Sequence, residues 1–230
     1  MPYIKKMIYA GRMLEIEKYP ISKKGARIPR NGKHQISSES QASLNEKNSK
    51  KNFIRLVEAN FTQGDLFLTL KYKGQTPTST QLKKDFQNFI RRLKYHCAKA
   101  GLPEPKYMGV SHDSSARPHH HLILNQYSWD FIKNVWTKGS VQISNLEADD
   151  EYGFTAVAKY IMNEKNNNTF EKRWCASQNL RKPKIVYKEI KRISIYRKIE
   201  APKGYKIINI EITDNIFTGL HQYIRCVKNE

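Results

Sequence analysis

The chain has 230 residues, enough for one large domain with a substantial core. It carries 41 Lys and Arg against 21 Asp and Glu, a net charge of +20 with a pI near 9.8, which favours a polyanion such as nucleic acid as partner over mere solubility. Three scattered cysteines argue against a disulfide framework or a Cys-type zinc site. The lack of a long apolar run argues against a signal peptide or a membrane span, so a cytoplasmic location is predicted.

The N-terminal part combines extended, loop and helical patterns. Residues 3–18 predict extended structure interrupted at Gly11, and residues 20–49 predict a basic arm that is either solvated or laid along phosphates. A polar helix is expected from about residue 40 to residue 60. Residues 65–72, DLFLTLKY, are apolar on both faces and predict a central strand covered on both sides.

The middle of the chain alternates between helix and strand patterns. Apolar residues recur at helical spacing from Ser79 until Gly101, which predicts an amphipathic helix. Residues 105–112 and 117–124 predict two strands joined by a short turn, that is, a β hairpin. A short helix capped by Ser128 should follow.

The remaining elements complete the predicted class. An edge strand is expected at residues 141–146, a helix at 153–164, and a basic β hairpin or small subdomain from residue 185 onward. The order of elements predicts an α+β fold with a central antiparallel sheet and helices packed on it. Three parts are predicted: a basic strand, loop and helix (1–60), a core (61–184), and a basic C-terminal β extension of the same domain (185–230).

Three consecutive histidines begin the second strand of the hairpin, in RPHHHLIL. Because side chains alternate across a strand, His119 and His121 share one face and His120 points to the other. Two imidazoles on one face can share a metal ion, although a polar strand end in solvent is the competing interpretation. His112, on the partner strand, can supply a third ligand. Three ligands with open coordination positions are typical of a catalytic metal, and in a basic protein they suggest phosphate-ester chemistry.

The nucleophile for such chemistry is less obvious from the residues. No Ser or Cys stands in a recognisable nucleophile motif. Tyr160 lies beside the apolar stripe of the late helix and would point toward the sheet edge, although a helical tyrosine alone is more often a packing residue. Lys159 and Lys165 could hold phosphate or offset phenolate charge.

Three stretches, in order, resemble the three motifs of rolling-circle replication initiators of the HUH endonuclease superfamily. They are LFLTLKY at 66–72, RPHHHLIL at 117–124 and AKYI at 158–161. The resemblance is greatest to initiators (Rep proteins) of small bacteriophages and bacterial plasmids, and it covers roughly residues 50–185, including 177–183.

The resemblance implies an HUH, ferredoxin-like sheet for the core and a nicking and joining activity. His119 and His121 would bind Mg²⁺ or Mn²⁺, with His112 where relatives often have an acidic residue or glutamine. Tyr160 would attack a DNA phosphate, leaving a 5′-phosphotyrosine and a free 3′-hydroxyl, without ATP. A tyrosine that follows the histidines favours initiators over relaxases.

Two departures from the family pattern bear on this expectation. Ala156 stands where some relatives carry a second tyrosine, so a single-tyrosine enzyme is expected, with a second subunit (a homodimer) for termination. Asn163 stands where relatives often have a lysine, so both Lys159 and Lys165 stay candidates for assisting Tyr160. No P-loop motif is present, so a host helicase and a host polymerase are expected partners, and no membrane is.

The expected substrate is single-stranded or hairpin origin DNA. Its contacts are predicted from Thr69, Lys71, Arg117, Arg181, Lys182 and Lys184. Trp129, Trp136 and Trp174 could stack on bases, with core packing favoured for the first two. Two alternatives stay open: a transposase of the single-strand type, against which the basic C-terminal extension argues mildly, and a non-catalytic nucleic-acid-binding module.

Overall fold

The structure, a computed structural model, describes residues 2–21, 39–74, 76–113, 117–163, 173–215 and 219–229. Its strands are β1 (Tyr3–Ala10), β2 (Met13–Pro20), β3 (Leu66–Lys71), β4 (Tyr107–His112), β5 (His119–Leu124), β6 (Val141–Asn145), β7 (Cys175–Ala176), β8 (Lys184–Ile190), β9 (Tyr205–Asn215) and β10 (Gly219–Lys228). Its α-helices are α1 (Glu39–Asn60), α2 (Ser79–Lys99), α3 (Trp129–Val135) and α4 (Thr155–Asn163), and Arg192–Ile195 form a short 3₁₀ helix. No helix in these ranges is both long and apolar enough to cross a bilayer.

The predicted α+β class is confirmed, with two antiparallel sheets and four α-helices in the described ranges. The chain divides into two compact units. The terminal unit comprises residues 1–59, 150–153 and 182–230, and the site unit comprises residues 60–149 and 154–181. The division at 60/61 and 184/185, expected from the sequence, stays a prediction.

The sheet of the site unit has the strand order β6-β3-β5-β4-β7. The edge position of β6 and the β4–β5 hairpin agree with the sequence pattern. Leu122 and Leu124 on β5 are fully buried on one face, together with leucines of β3, against the apolar stripe of α2. That face packs on α2. The other face of the hairpin carries the histidines toward one end of the strands and the fully buried Met108 and Ile123 toward the other.

Helix α2 has the stripe that its sequence predicts. Thr78 is the N-cap, and its side chain accepts a hydrogen bond from the backbone N–H of Gln81. Phe89 and Leu93 are fully buried within the stripe. The chain leaves the helix at Gly101, whose φ of 65° lies in the left-handed region that favours glycine.

The sheet of the terminal unit has the strand order β8-β1-β2-β10-β9. The N-terminal hairpin, β1–β2, turns at Gly11 with a φ of 56°, where a Cβ would overlap the carbonyl of Glu58. Strand β2 pairs with β10, so the basic C-terminal hairpin shares one sheet with the N-terminal hairpin. Helix α1 contributes Phe53 and Val57, both fully buried.

Candidate functional site

Three histidines converge on the face of the sheet that lies opposite α2 in the site unit. His112 lies directly opposite His119 in the β4–β5 pair, and His121 follows two residues later on the same face. The ring centroids are 4.9 Å apart for His112 and His119, 5.1 Å for His112 and His121, and 4.7 Å for His119 and His121. Each residue offers a ring nitrogen, and these atoms all lie within 4.8 Å of one another. The group could therefore hold a metal ion, as the sequence predicts.

Hydrogen bonds orient two of the rings for coordination through Nε2. Nδ1 of His119 donates to the carbonyl oxygen of Arg117 at 2.8 Å, which leaves the lone pair of that ring on Nε2. Nδ1 of His121 lies 3.1 Å from Oγ1 of Thr69. The two Nε2 atoms face each other at 3.2 Å. Partners on the far nitrogen commonly fix the tautomer and direction of metal-binding histidines, so the donor set fits a divalent ion.

His112 is the most deeply buried of the three histidines. Burial, followed by the charge of His119, lowers the pKa of His112 to about 4 from an ordinary 6.5. The imidazole is therefore neutral near pH 7, which is the form that coordinates metal ions.

His120 points to the opposite face, into the core beneath the site. Its Nδ1 lies 2.8 Å from Oγ of Ser111 and its Nε2 lies 2.9 Å from the hydroxyl of Tyr72. Burial, followed by the neighbouring imidazoles, lowers the pKa of His120 to about 3. Burial and the carboxylate of Asp85 raise the pKa of Tyr72. His120 is thus a neutral, hydrogen-bonded core residue and not a member of the metal-binding group.

Helix α4 brings Tyr160 to the histidines. Ala158 and Ile161 are fully buried, whereas the side chain of Tyr160 is 58% exposed. Its ring centroid lies 5.2 Å from that of His121 and 6.3 Å from that of Phe67. A phenol that is open to solvent and adjacent to a candidate metal ligand can reach a bound substrate.

Lys159 and Lys165 are the two lysines predicted to assist Tyr160. Lys159 is an exposed residue of α4. Lys159 precedes Tyr160 in the helix. The two side chains therefore point in directions about 100° apart around the helix axis, because an α-helix has about 3.6 residues per turn. Lys165 lies outside the described residues.

A cavity of about 450 Å³ opens between the histidine pair and Tyr160. Its cationic lining residues are Lys71 and Arg117. The full lining comprises Thr69, Lys71, Tyr72, Gly74, Thr76, Arg117, Pro118, His119, His121, Gln142 and Tyr160. The cavity thus joins positive charge, a phenol and a candidate metal group, a combination suited to a phosphodiester.

Three of the predicted DNA-binding residues lie at this cavity and three do not line it. Thr69, Lys71 and Arg117 belong to the lining. The backbone N–H of Arg181 donates to Oδ1 of Asn60 at 2.6 Å, which anchors the backbone at that position. Lys182 and Lys184 are exposed residues of the terminal unit. A DNA-binding role for all six residues stays a prediction.

Sequence reasoning missed several lining residues and misplaced one tryptophan. Gln142 pairs directly with Thr69 across β6 and β3, so its place follows from strand pairing that no local motif signals. Trp136 is 4% exposed, as expected for a core residue, but Trp129 is 45% exposed, which corrects the expectation that it packs in the core. Trp129 starts helix α3, where its side chain meets solvent instead of the sheet.

The segment that carries the histidines and Tyr160 matches a known protein family. Residues 65–165 match the family model of the replication-associated protein ORF2/G2P, over somewhat less than half of the chain. The matched segment includes the three histidines, both cavity cations and Tyr160. No curated protein and no solved structure matches the chain. The match confirms the resemblance to Rep-type replication initiators.

Proposed function

We propose that this protein is a metal-dependent DNA endonuclease and strand transferase of the HUH type, which nicks an origin and thereby starts rolling-circle replication of a phage or plasmid. One observation carries the proposal: Tyr160 and the His119–His121 pair line the same cavity, with the rings of Tyr160 and His121 5.2 Å apart. The similarity of residues 65–165 to a replication-associated family supports a role in DNA replication.

The metal would be held by His112, His119 and His121. Three imidazoles leave coordination positions open for substrate oxygens, which is typical of catalytic sites. The chemistry that a bound Mg²⁺ or Mn²⁺ supplies is polarisation of a phosphoryl oxygen and stabilisation of the leaving oxygen. Thr69 and the carbonyl of Arg117 hold the two rings of the pair in place.

Tyr160 would be the nucleophile. Its phenolic oxygen forms a bond to phosphorus as the bond from phosphorus to the 3′ oxygen breaks. The phenol loses its proton, and the 3′ oxygen gains one and becomes a hydroxyl. One phosphoester bond replaces another, so the link can be reversed to rejoin the strand without ATP.

Cations would neutralise the phosphate during this exchange. Lys71 and Arg117 line the cavity and are our first candidates for contacting the non-bridging oxygens. Lys159 and Lys165 stay the assistants predicted from the sequence. Arg181, Lys182 and Lys184 are proposed to contact the flanking DNA.

The proposal also extends to partners. The substrate is single-stranded or hairpin origin DNA, a host helicase and polymerase act after nicking, and a homodimer supplies the second tyrosine for termination. The basic balance of 41 Lys and Arg against 21 Asp and Glu supports a nucleic-acid partner.

The decisive experiment uses the Tyr160→Phe variant. The protein is incubated with Mn²⁺ and single-stranded DNA of its own replicon, and a covalent protein–DNA adduct is sought by mass spectrometry. The wild type should give an adduct of the protein plus the 5′-phosphorylated fragment, and the variant should give none. Tyr95→Phe is the matched control, because Tyr95 is similarly exposed (63%) but lies on α2. An adduct that persists in Tyr160→Phe would remove Tyr160 from the mechanism.

The same assay separates the alternative functions. Tight DNA binding without any nicking, in both the presence and absence of Mn²⁺, would favour a non-catalytic binding module. Nicking confined to transposon ends, with no cleavage of a replicon origin, would favour a single-strand transposase. Nicking that survives EDTA would remove the metal from the mechanism.

A further inference from the structure

Three lysines lie side by side on one face of the sheet in the terminal unit. Lys5 on β1 is directly opposite Lys188 on β8 and directly opposite Lys18 on β2. We call Lys188, Lys5 and Lys18 the lysine row. Directly paired residues in antiparallel sheets are about 4.5–5.5 Å apart, so the row places three ammonium-bearing side chains within about 10 Å.

Like charges directly opposite each other destabilise a sheet, so the row is unfavourable in the protein alone. In the part of the chain that the structure describes, no carboxylate forms an ion pair with Lys5, Lys18 or Lys188. Burial, followed by the charge of Lys5, lowers the pKa of Lys18.

On the other face of the same strands, basic side chains are paired with acidic ones. Lys6 is directly opposite Glu17 and donates to it at 3.0 Å. Arg55 of α1 forms ion pairs with Glu15 and Glu17 on that face. The sheet therefore matches opposite charges where α1 packs, while three positive charges are aligned on the other face.

The row borders apolar side chains on the same face of the sheet. Met7 and Ile16 lie next to Lys5 and Lys18 on the same face and belong to an apolar cluster. The lysine stems can pack on such neighbours while the charged ends reach water. Lys5 and Lys18 are partly exposed and Lys188 is exposed. Lys184, four residues before Lys188, lies on the same face and is also exposed.

We propose that the lysine row is a second DNA-binding surface, which grips the phosphate backbone of a DNA strand without reading its sequence. Three evenly spaced cations offer a linear polyanion several phosphates at once, and release of its counterions favours binding. This surface belongs to the terminal unit and does not depend on the histidines or on Tyr160. It goes beyond the proposed nicking function and holds whether or not the protein nicks DNA.

The test measures DNA binding without catalysis. Fluorescence anisotropy follows a labelled single-stranded oligonucleotide of arbitrary sequence, in EDTA, over a range of salt concentrations. The triple variant Lys5→Gln/Lys18→Gln/Lys188→Gln should bind more weakly, and its slope of log Kobs against log[salt] should be shallower by about 2, because each single-strand phosphate contact contributes about 0.7.

Two controls make the result specific. Lys84→Gln/Lys99→Gln/Lys133→Gln removes the same charge from exposed positions on α2 and α3 and should leave the slope within about 0.7 of the wild type. Replacing the row by three arginines should keep the wild-type slope. The proposal is overturned if the slope of the row variant equals that of the wild type or of the α2/α3 control. It is also overturned if the row variant loses affinity for polyglutamate without losing affinity for DNA.

A stability measurement checks that the variant folds. Removing the repulsion should leave the Tm of Lys18→Gln equal to or above that of the wild type, while its DNA affinity falls. If the fall in Tm parallels the fall in DNA affinity across the single variants, the row has a structural role and the proposal is overturned.

Discussion

Oγ1 of Thr69 lies 3.1 Å from Nδ1 of His121, directly across the β3–β5 pair. With Nδ1 engaged by this hydroxyl, Nε2 of His121 faces Nε2 of His119. A buried threonine on a neighbouring strand thus sets the direction of one candidate metal ligand. The sequence predicts Thr69 as a DNA contact, and its geometry also suits it to position His121.

The first prediction concerns this hydroxyl. Thr69→Val keeps the shape of the side chain but removes the partner of Nδ1, so we expect the affinity for Mn²⁺ to fall roughly 10- to 100-fold. Thr69→Ser retains a hydroxyl and should stay within a few-fold of the wild type. Calorimetric Mn²⁺ titration measures both variants. Equal affinities for the valine and serine variants would show that the contact does not orient the ring.

The second prediction separates two adjacent histidines. His119→Ala should lower Mn²⁺ affinity at least tenfold with little change in stability, because His119 is only partly buried. His120→Leu should do the reverse, because it removes the partner of Ser111 and Tyr72 in the core. Leaving a buried polar group without its partner costs about 1–3 kcal/mol.

Urea unfolding and Mn²⁺ titration of both variants test this contrast. We expect His119→Ala to lower metal affinity without lowering the free energy of unfolding, and His120→Leu to lower the free energy of unfolding without lowering metal affinity. If His120→Leu loses metal affinity while keeping its stability, the assignment of His120 to the core is wrong.

The third prediction asks which cation assists Tyr160. Lys71 lines the cavity, so Lys71→Gln should slow nicking by about 10- to 100-fold, the loss of one hydrogen bond from a charged group. Lys159→Gln removes the same charge from the neighbour of Tyr160 and should have a smaller effect, because adjacent helix residues point in different directions. Single-turnover nicking rates compare the two. A larger loss for Lys159→Gln would reverse the order.

The fourth prediction concerns acid stability of the terminal unit. Burial raises the pKa of Glu17, but Lys6 and Arg55 outweigh burial, so the pKa lies below its ordinary value of 4.5. A carboxylate whose pKa is lower in the folded state stabilises that state above the unfolded pKa. This stabilisation should be lost as the pH falls from about 4.5 through the lower folded value.

Thermal unfolding between pH 6 and pH 3 measures the effect. Glu17→Gln removes the titrating group, so its Tm should fall less steeply with acid than that of the wild type. Glu151→Gln serves as the comparison, because Glu151 pairs with Lys206 at an exposed position. A Glu17→Gln profile parallel to the wild-type profile would contradict the prediction.

Much of the fold of the site unit could be predicted because its signals are local. Apolar spacing marks α2, and alternation in RPHHHLIL assigns each histidine to a face. The short β4–β5 connection brings His112 opposite His119 without any knowledge of distant contacts. For these residues the sequence is sufficient.

Other features depend on contacts between distant parts of the chain. The pairing of β1 with β8 and of β2 with β10 joins segments far apart in sequence, and no local pattern specifies it. Gln142 enters the cavity through the β3–β6 pairing in the same way. The place of Tyr160 beside the apolar stripe of its helix makes it a candidate nucleophile, but only the resemblance to initiators favours that role over packing, because its neighbours on the sheet are distant in sequence.

The hydrogen bonds of His120 also bear on the register in which β5 pairs with β4. A shift of one residue would turn His119 and His121 into the core, and a shift of two would bring Leu122 opposite Ser111 in place of His120. Only one alignment gives His120 both Ser111 and Tyr72 as partners. A hairpin in any other register would forfeit these two hydrogen bonds, so the central histidine favours the one register in which the histidines on either side of it meet His112.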